Sequence, residues 1–176
     1  MIKEIYIRPV TLEDIQYNEV AFQMINAAYR SSESWTTDNH LVSIDRVQVE
    51  DIQNLIEKSG QPNVLLYAFD VNTVIGCILI QPEQNGEALL SLLAVSPTHQ
   101  SRGIGKQLIE KAIGYVQTNM PNINQVLVHV FDCRKELVNW YIRLGFVDKR
   151  ELIPFPYKEI LLAKEAPLLI LRMPVI

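Results

Sequence analysis

Residues 88–106 run from an apolar segment to an amphipathic one through a short turn that holds two glycines, and this order restricts the fold more than any other feature of the chain. Residues 88–95 form a short, almost wholly apolar run that ends at Ser96 and Pro97. Such a run is typical of a strand buried on both faces. After the glycines, apolar residues recur at helical spacing, namely Ile104, Leu108, Ile109, Ala112, Ile113 and Val116. We therefore predict a buried strand, a glycine turn and a helix.

The turn itself has the properties of an anion-binding loop. Gly103 and Gly105 lie where the predicted helix begins, and Arg102 and Lys106 add positive charge beside them. The first turn of a helix has unpaired N–H groups and a partial positive charge, and glycines let an anion come close to those groups. The sequence thus predicts an anion site at this helix start.

Two familiar phosphate-binding motifs do not match the loop. A P-loop reads G-x-x-x-x-G-K-[ST], but Gln100 stands at its first glycine and Gln107 at its hydroxyl position. A dinucleotide-binding motif that begins at Gly103 fails because its third glycine would be Leu108. The pattern that remains is [QR]-x-x-G-x-[GA] after an apolar strand.

With this pattern the chain resembles the GNAT superfamily of acetyl-CoA-dependent N-acyltransferases, whose motif binds the pyrophosphate of the coenzyme. The matching residues are Gln100-Ser101-Arg102-Gly103-Ile104-Gly105. The resemblance resumes at Tyr141, Gly145 and Phe146, which fit the family's Tyr-x-x-x-Gly-Phe segment. Two ordered motifs at a family-like separation favour the resemblance more strongly than either motif alone.

The resemblance implies which residues contact acetyl-CoA. In the family, main-chain groups at the end of the strand bind the pantetheine arm and the thioester carbonyl, while the glycine loop binds the pyrophosphate. The implied residues are Leu93, Ala94, Val95, Gln100, Ser101, Arg102, Gly103, Ile104, Gly105 and Lys106. The family often has an asparagine seven residues before its tyrosine. Arg134 stands there in this chain, and we expect it to contact an anionic part of the coenzyme.

The same resemblance implies a general acid. Amide formation from a thioester and an amine needs a neutral amine, a stabilised oxyanion and a protonated leaving thiolate. Tyr141 matches the family tyrosine that protonates the thiolate, so we predict it as the catalytic acid. The alternative is a packed core tyrosine, because Tyr141 shares an apolar helical stripe with Leu137, Trp140 and Leu144.

The sequence leaves the general base open. Some relatives use a glutamate on the strand before the loop, but Leu89 occupies that position. The remaining candidates are Glu33, Asp38, His40, Asp45, Glu87 and Ser91. His129 and Cys133 would lie about 13 Å apart on a continuous strand. We therefore interpret that pair as structural rather than as a thiol nucleophile with its base.

The acceptor is expected to bind between the first helices and a late loop, as the resemblance implies. Tyr29, Glu33, Trp35 and Phe155 are the predicted substrate-binding residues. Aromatic and acidic side chains there suit an amine, although ordinary loop packing explains Trp35 and Phe155 equally well. The expected partner is a small-molecule or peptide amine, and a homodimer is left open.

Composition restricts the other partners. The net charge of −4 argues against broad binding to nucleic acid or to anionic membrane. The longest apolar runs are far shorter than the roughly 20 residues that span a bilayer. Two cysteines and three histidines, scattered along the chain, predict neither a disulfide framework nor a metal site. We expect a cytoplasmic protein of one domain, residues 1–176.

The predicted order of elements is β-α-α-β-β-β-α-β-α-β-β. This order is the one that the GNAT fold implies, an α/β (α+β) single domain with a mixed, mostly antiparallel sheet of about seven strands and about four helices. The predicted function is an acetyl-CoA-dependent N-acetyltransferase. The alternatives are a catalytically weak acyl-CoA-binding regulatory or partner subunit and, less favoured, a nucleotide-binding protein.

Overall fold

The computed structural model describes residues 5–176, in which seven strands form one sheet with helices on both faces. The strands are β1 (Ile5–Pro9), β2 (Val64–Asp70), β3 (Thr73–Pro82), β4 (Glu87–Val95), β5 (Gln125–Phe131), β6 (Val147–Ile153) and β7 (Leu168–Pro174). The helices are α1 (Asn18–Arg30), α2 (Val49–Glu57), α3 (Ile104–Asn119) and α4 (Lys135–Arg143). The predicted order of elements and the mixed sheet are confirmed.

One difference from the predicted elements lies before α1. The chain turns first through a 3₁₀ helix, Leu12–Tyr17, and only then enters α1. The Thr11 N–H donates to Asp14 Oδ2 at 2.7 Å and so caps the start of this 3₁₀ helix. Arg8 on β1 also donates to both oxygens of Asp14, at 2.7 and 2.8 Å, and so fixes the chain where it leaves the sheet.

The strand order is β1-β2-β3-β4-β5-β7-β6, and every neighbouring pair is antiparallel except β4 and β5. These two strands run parallel and pair only from Glu87 opposite Gln125 to Leu89 opposite Leu127. Beyond Leu89 they no longer pair. The sheet therefore opens between its two central strands toward their carboxyl ends.

A β-bulge lies in β4 just beyond this point. Cys77 pairs with Ala94 and Leu79 with Ser91, so two residues of β4 oppose one residue of β3. Leu92, inside the bulge, has a positive φ of 51°. A bulge bends its strand and redirects the side chains that follow. As a result Leu90 packs in the core on the α3 side, whereas Leu92 packs in the core on the α1 side.

The expectation that β4 is buried on both faces is wrong for one set of its residues. Alternate positions of the strand are only half-buried, namely Glu87, Leu89, Ser91, Leu93 and Val95. The physical reason is the opening between β4 and β5, which leaves part of the strand beside a cavity rather than inside a packed sheet. An apolar run alone does not distinguish these two environments.

Two long connections meet over β5. Leu41 and Val42, from the α1–α2 connection, form a small core with Phe131 and with residues of the β6–β7 connection. Val42 and Leu161 form an isolated antiparallel bridge between the two connections. Together they cover the side of β5 that faces away from α3. Across residues 5–176, no helix combines the length and the apolar character needed to cross a membrane.

Candidate active site

A cavity of about 1110 Å³ lies where β4 and β5 separate. Its wall includes most of the residues that were predicted for the site: Tyr29, Trp35, Leu93, Val95, Gln100, Ser101, Gly103, Ile104, Gly105, Lys106, Arg134, Tyr141 and Phe155. The fold thus brings most of the glycine loop, the tyrosine and three of the four proposed acceptor residues to one cavity.

Three predicted residues do not line this cavity. Ala94 is buried in the core on the α1 side of the sheet. Arg102 is exposed and donates from Nη2 to the carbonyl oxygen of Thr98 at 3.0 Å. Glu33 is exposed on the α1–α2 connection. The role of Ala94 remains a prediction that concerns its main chain, while Glu33 is not among the residues that line the cavity.

The glycine loop has an open, positively polarised surface. Gly103 is the N-cap of α3 with a φ of 78°, and apart from Gly103 and its two chain neighbours no residue has an atom within 4 Å of the place where its Cβ would be. The first bond of α3 runs from Gln107 N to Gly103 O at 3.1 Å. The N–H groups of residues 104–106 precede that bond and are oriented for an anion. These features fit a coenzyme pyrophosphate.

Gly105 lies directly beside α4. A Cβ added there would lie 3.4 Å from the Trp140 ring, which is an ordinary van der Waals contact, so the start of α3 and α4 are close neighbours. Trp140 in turn packs edge-on against Trp35, with the ring centroids 6.1 Å apart. The glycine loop, α4 and the α1–α2 connection therefore meet at one point of the cavity wall.

Gln100 and Arg134 also join these parts. The Gln100 amide donates to Val95 O at 3.1 Å and to Thr36 Oγ1 at 3.3 Å, and its oxygen accepts from Trp35 N at 3.2 Å. Arg134 donates to Trp35 O at 3.2 Å and to Thr36 O at 3.5 Å. Both side chains were predicted to contact the coenzyme. Here they also fix the α1–α2 connection beside the loop.

Tyr141 lies on the cavity side of α4 with its side chain almost fully buried. Its ring packs edge-on against Trp140 and Phe146, at centroid distances of 4.9 and 5.4 Å. Burial raises the pKa of its hydroxyl, and the nearby Tyr29 raises it further. The phenol is therefore protonated at neutral pH and is available as a hydrogen-bond donor to the cavity.

Tyr29 crosses from α1 to the strand beyond the bulge. Its hydroxyl donates to Leu93 O at 3.0 Å, and burial raises the pKa of this hydroxyl. The Arg46 guanidinium lies 5.4 Å above the centre of the Tyr29 ring and also lines the cavity. Tyr29 thus orients the main chain of β4 at the opening and forms part of the cavity wall.

The base candidates are separated by the structure. Asp38, Asp45 and Ser91 line the cavity, whereas Glu33, His40 and Glu87 do not. Asp38 forms an ion pair with Arg30. Burial raises the pKa of Asp38, and the Arg30 charge opposes that shift. Ser91 is also engaged, because its hydroxyl donates to Gln81 Oε1 at 2.5 Å.

His129 is a cavity residue that the sequence interpretation treated only as structural. Its side chain lines the cavity from β5, whereas Cys133 is exposed and does not line it. Burial lowers the pKa of the imidazole. The alternation of Leu127, His129 and Phe131 in β5 was visible in the sequence. Whether these alternating side chains face a cavity depends on how β4 pairs with β5, and that pairing could not be predicted from the sequence.

No cluster of three or more His, Cys, Asp or Glu side chains suited to a metal ion occurs within residues 5–176. The residues that could bind a coenzyme are instead the glycine loop and the edge of β4 beside the opening. Past Leu89 that edge no longer pairs with β5, so it lies beside the cavity without a partner strand. Exposed main-chain groups of this kind are well suited to bind an extended amide chain.

Comparison with known proteins agrees with this geometry. A family model described as "Acetyltransferase (GNAT) family" matches residues 22–146. No curated protein matches the chain significantly. Among solved structures, the protein smu.2055 of Streptococcus mutans UA159 superposes with a TM-score of 0.72 at 20% identity, over 97% of this chain and 99% of that chain.

Two further solved structures share the fold. An acetyltransferase of the GNAT family from Streptococcus pneumoniae has a TM-score of 0.71 at 18% identity, over 98% of this chain and 99% of that chain. The acetyltransferase-type protein yncA from Salmonella typhimurium, solved with its cofactor acetyl-CoA, has a TM-score of 0.73 at 15% identity, over 98% and 95%. The family model covers most of the sequence, and the fold is shared along nearly its whole length. The chain belongs to the GNAT acetyltransferase family.

Proposed function

We propose that this chain is an N-acetyltransferase that moves the acetyl group of acetyl-CoA to a primary amine of a small molecule or a peptide, by direct attack in a ternary complex. The observation that carries the proposal is the single cavity that contains the glycine loop, the unpaired edge of β4 and Tyr141. A solved neighbour with acetyl-CoA supports the choice of donor.

The donor side of the cavity supplies anion binding and main-chain hydrogen bonds. The N–H groups at the start of α3, after Gly103, bind the pyrophosphate, and Lys106 adds positive charge nearby. Leu93 and Val95 line the cavity beside the opening, and their main chain is the proposed contact for the pantetheine arm and the thioester carbonyl. Acetyl-CoA supplies the activated acetyl group, because a thiolate is a good leaving group.

Tyr141 supplies the hydrogen bond that a departing thiolate needs. Its pKa is raised by burial, so the hydroxyl keeps its proton until the sulfur develops charge. The surrounding Trp140 and Phe146 rings exclude water from this hydrogen bond and fix the direction of the phenol. A hydrogen bond in such a site stabilises developing charge more than the same bond in water.

The acceptor side is formed by the α1–α2 and β6–β7 connections. Tyr29 lines the cavity from α1, and Trp35 lines it from the α1–α2 connection. Phe155 and Tyr157 line it from the β6–β7 connection. Asp45 and Glu159 are carboxylates on the same wall. Aromatic faces and carboxylates together favour a cationic amine.

A thiol-release assay with acetyl-CoA and a panel of amines tests the proposal. The panel contains spermidine, 2-phenylethylamine, lysine, aniline and a peptide with alanine at its amino terminus. We expect thiol release that depends on one of these amines, together with the matching increase in mass of that amine. Isothermal titration with acetyl-CoA is measured in parallel, so that binding and turnover are read separately.

A second function is favoured by one observation. Leu89, an apolar residue, lines the cavity where some relatives carry a catalytic glutamate. A chain without a base there fits a coenzyme-binding partner subunit. Acetyl-CoA binding without turnover across the panel would favour this second function, whereas amine-dependent thiol release would exclude it.

A further inference from the structure

We propose that His129 is the general base of this site and that its imidazole removes the proton of the acceptor ammonium. The inference rests on the acetyltransferase function proposed above. The resemblance places the general base of some relatives on β4, where this chain has Leu89. The proposal places the base on β5 instead.

The position of His129 follows from the pairing of the two central strands. The last β4–β5 pair is Leu89 with Leu127, and His129 lies two residues further along β5, about 6.6 Å beyond that pair. Val128 and Val130 pack in the core on the α3 side. The His129 side chain therefore points to the opposite face, where the acceptor side of the cavity lies.

The imidazole is free to act as a base. Within residues 5–176 it makes neither a hydrogen bond nor an ion pair with another side chain. The side chain is half-buried and lines the cavity. Three other polar groups near the opening are engaged, while Asp45 is a further base candidate on the cavity wall. Ser91 donates to Gln81, Asp38 is paired with Arg30, and Tyr29 donates to Leu93.

Charged groups from three neighbouring segments act on the imidazole. Burial is the largest influence and lowers its pKa, and Arg172 on β7 lowers it further. Glu83, in the turn before β4, and Glu151 on β6 raise it. Arg172 is itself paired with Glu87, at 2.9 Å, and with Glu151. The imidazole is therefore neutral at pH 7, and Glu83 is a nearby charge that stabilises its protonated form.

The proton balance is simple. An alkylamine has a pKa near 10 and reaches the site mostly as an ammonium. His129 takes one ammonium proton, and the lone pair left on nitrogen forms the N–C bond while the C–S bond breaks. Tyr141 gives its proton to the sulfur and recovers one from the nitrogen. His129 then releases its proton to solvent through the open side of the cavity.

The kinetic test is His129→Gln, which keeps a polar side chain but removes the titrating ring. The probes are aniline and the alkylamine of the panel that the wild type acetylates fastest. For the alkylamine we expect kcat/KM to fall by about 100-fold or more. The rate with aniline should hardly change, because an aromatic amine is already neutral at pH 7 and needs no base.

The pH profile gives a second readout. The wild-type kcat/KM for the alkylamine should fall on the acid side through a pKa below the usual histidine value of about 6.5, and His129→Gln should lose this limb. His40→Gln is the matched control, because His40 is exposed and does not line the cavity. The proposal would be overturned if His129→Gln acetylated the alkylamine as fast as the wild type, or if its pH profile kept the acid limb of the wild type.

An NMR titration of the wild type needs no acceptor. The chain has three histidines, so the signal that disappears in His129→Gln, or in His129→Asn if the first variant does not fold, assigns the imidazole. We expect it to titrate below about 6.5. A pKa above 7 would overturn the proposal.

If the wild type acetylates no amine, the proposed function fails and this inference fails with it. If the wild type acetylates an amine and His129→Gln acetylates it equally fast, only the base assignment fails.

Discussion

Gln100 Nε2 lies 2.9 Å from Ser34 Oγ, and this hydrogen bond joins the glycine loop to the connection between α1 and α2. Ser34 Oγ in turn donates to Ala28 O at 2.6 Å in the last turn of α1. The Gln100 amide therefore lies at the centre of a short network that runs from the loop to α1. Because the loop forms the donor side of the cavity and the connection forms the acceptor side, the network links the two substrate sites.

We expect Gln100→Leu to loosen both sides of the cavity. Leucine has a similar volume but leaves Val95 O and Trp35 N without the partners that the amide supplied. The free energy of unfolding should fall by about 1–3 kcal/mol, because partly buried polar groups lose their hydrogen bonds. Urea denaturation followed by circular dichroism measures this change, and isothermal titration should show weaker acetyl-CoA binding.

Gln107→Leu is the matched control for this variant. Gln107 lies on the exposed face of α3, and leucine has a similar helix propensity, so the free energy of unfolding should change little. Equal stability of Gln100→Leu and Gln107→Leu, with equal acetyl-CoA affinity, would show that the network does not link the two sites.

Gly103→Val should abolish tight binding of acetyl-CoA. Its φ of 78° is a left-handed conformation that a β-branched residue adopts only with strain, and the added side chain would project into the open space before α3. We expect acetyl-CoA affinity to fall by at least about tenfold, which corresponds to about 1.4 kcal/mol of lost binding energy. Isothermal titration measures the loss.

Gly60→Val separates strain from blocked binding. Gly60 also has a positive φ, of 89°, and open space around its missing Cβ, but it lies after α2 and does not line the cavity. Both variants should lose similar stability, whereas only Gly103→Val should lose coenzyme affinity. If both variants bind acetyl-CoA as the wild type does, the glycine loop is not the pyrophosphate site.

The glycine loop could be predicted from the sequence because its evidence is local. Gly103 and Gly105, the apolar run before them and the helical spacing after them all lie within about thirty residues. The structure places nearly all of the predicted loop residues on one cavity wall. Arg102 is the exception, because its guanidinium turns back to the Thr98 carbonyl.

The acceptor side could not be predicted in the same way. His129 reaches the cavity only because β5 pairs with β4 as far as Leu89 and then separates from it, which is a relation between distant segments. Glu33 was predicted because it is an acidic residue of the segment that the resemblance places at the acceptor, yet the carboxylates that line the cavity from this connection are Asp38 and Asp45. The bulge at Leu92 likewise could not be predicted from a run of almost wholly apolar residues.

Tyr141→Phe should separate the chemical step from coenzyme binding. The Tyr141 ring packs against Trp140 and Phe146, and phenylalanine retains that packing while it removes the hydroxyl. The single-turnover rate of acetylation should fall by about 100-fold, because the thiolate then leaves without its hydrogen-bond donor. Acetyl-CoA affinity, measured by isothermal titration, should stay close to that of the wild type.

Tyr115→Phe is the control for the loss of a phenol. Tyr115 packs from α3 against the same core but does not line the cavity, so its variant should retain the wild-type rate. Burial raises the pKa of the Tyr141 hydroxyl, so the wild-type rate should show no loss from its ionisation below about pH 10. An undiminished single-turnover rate in Tyr141→Phe would leave Tyr141 as a packed core tyrosine and remove it from the chemistry.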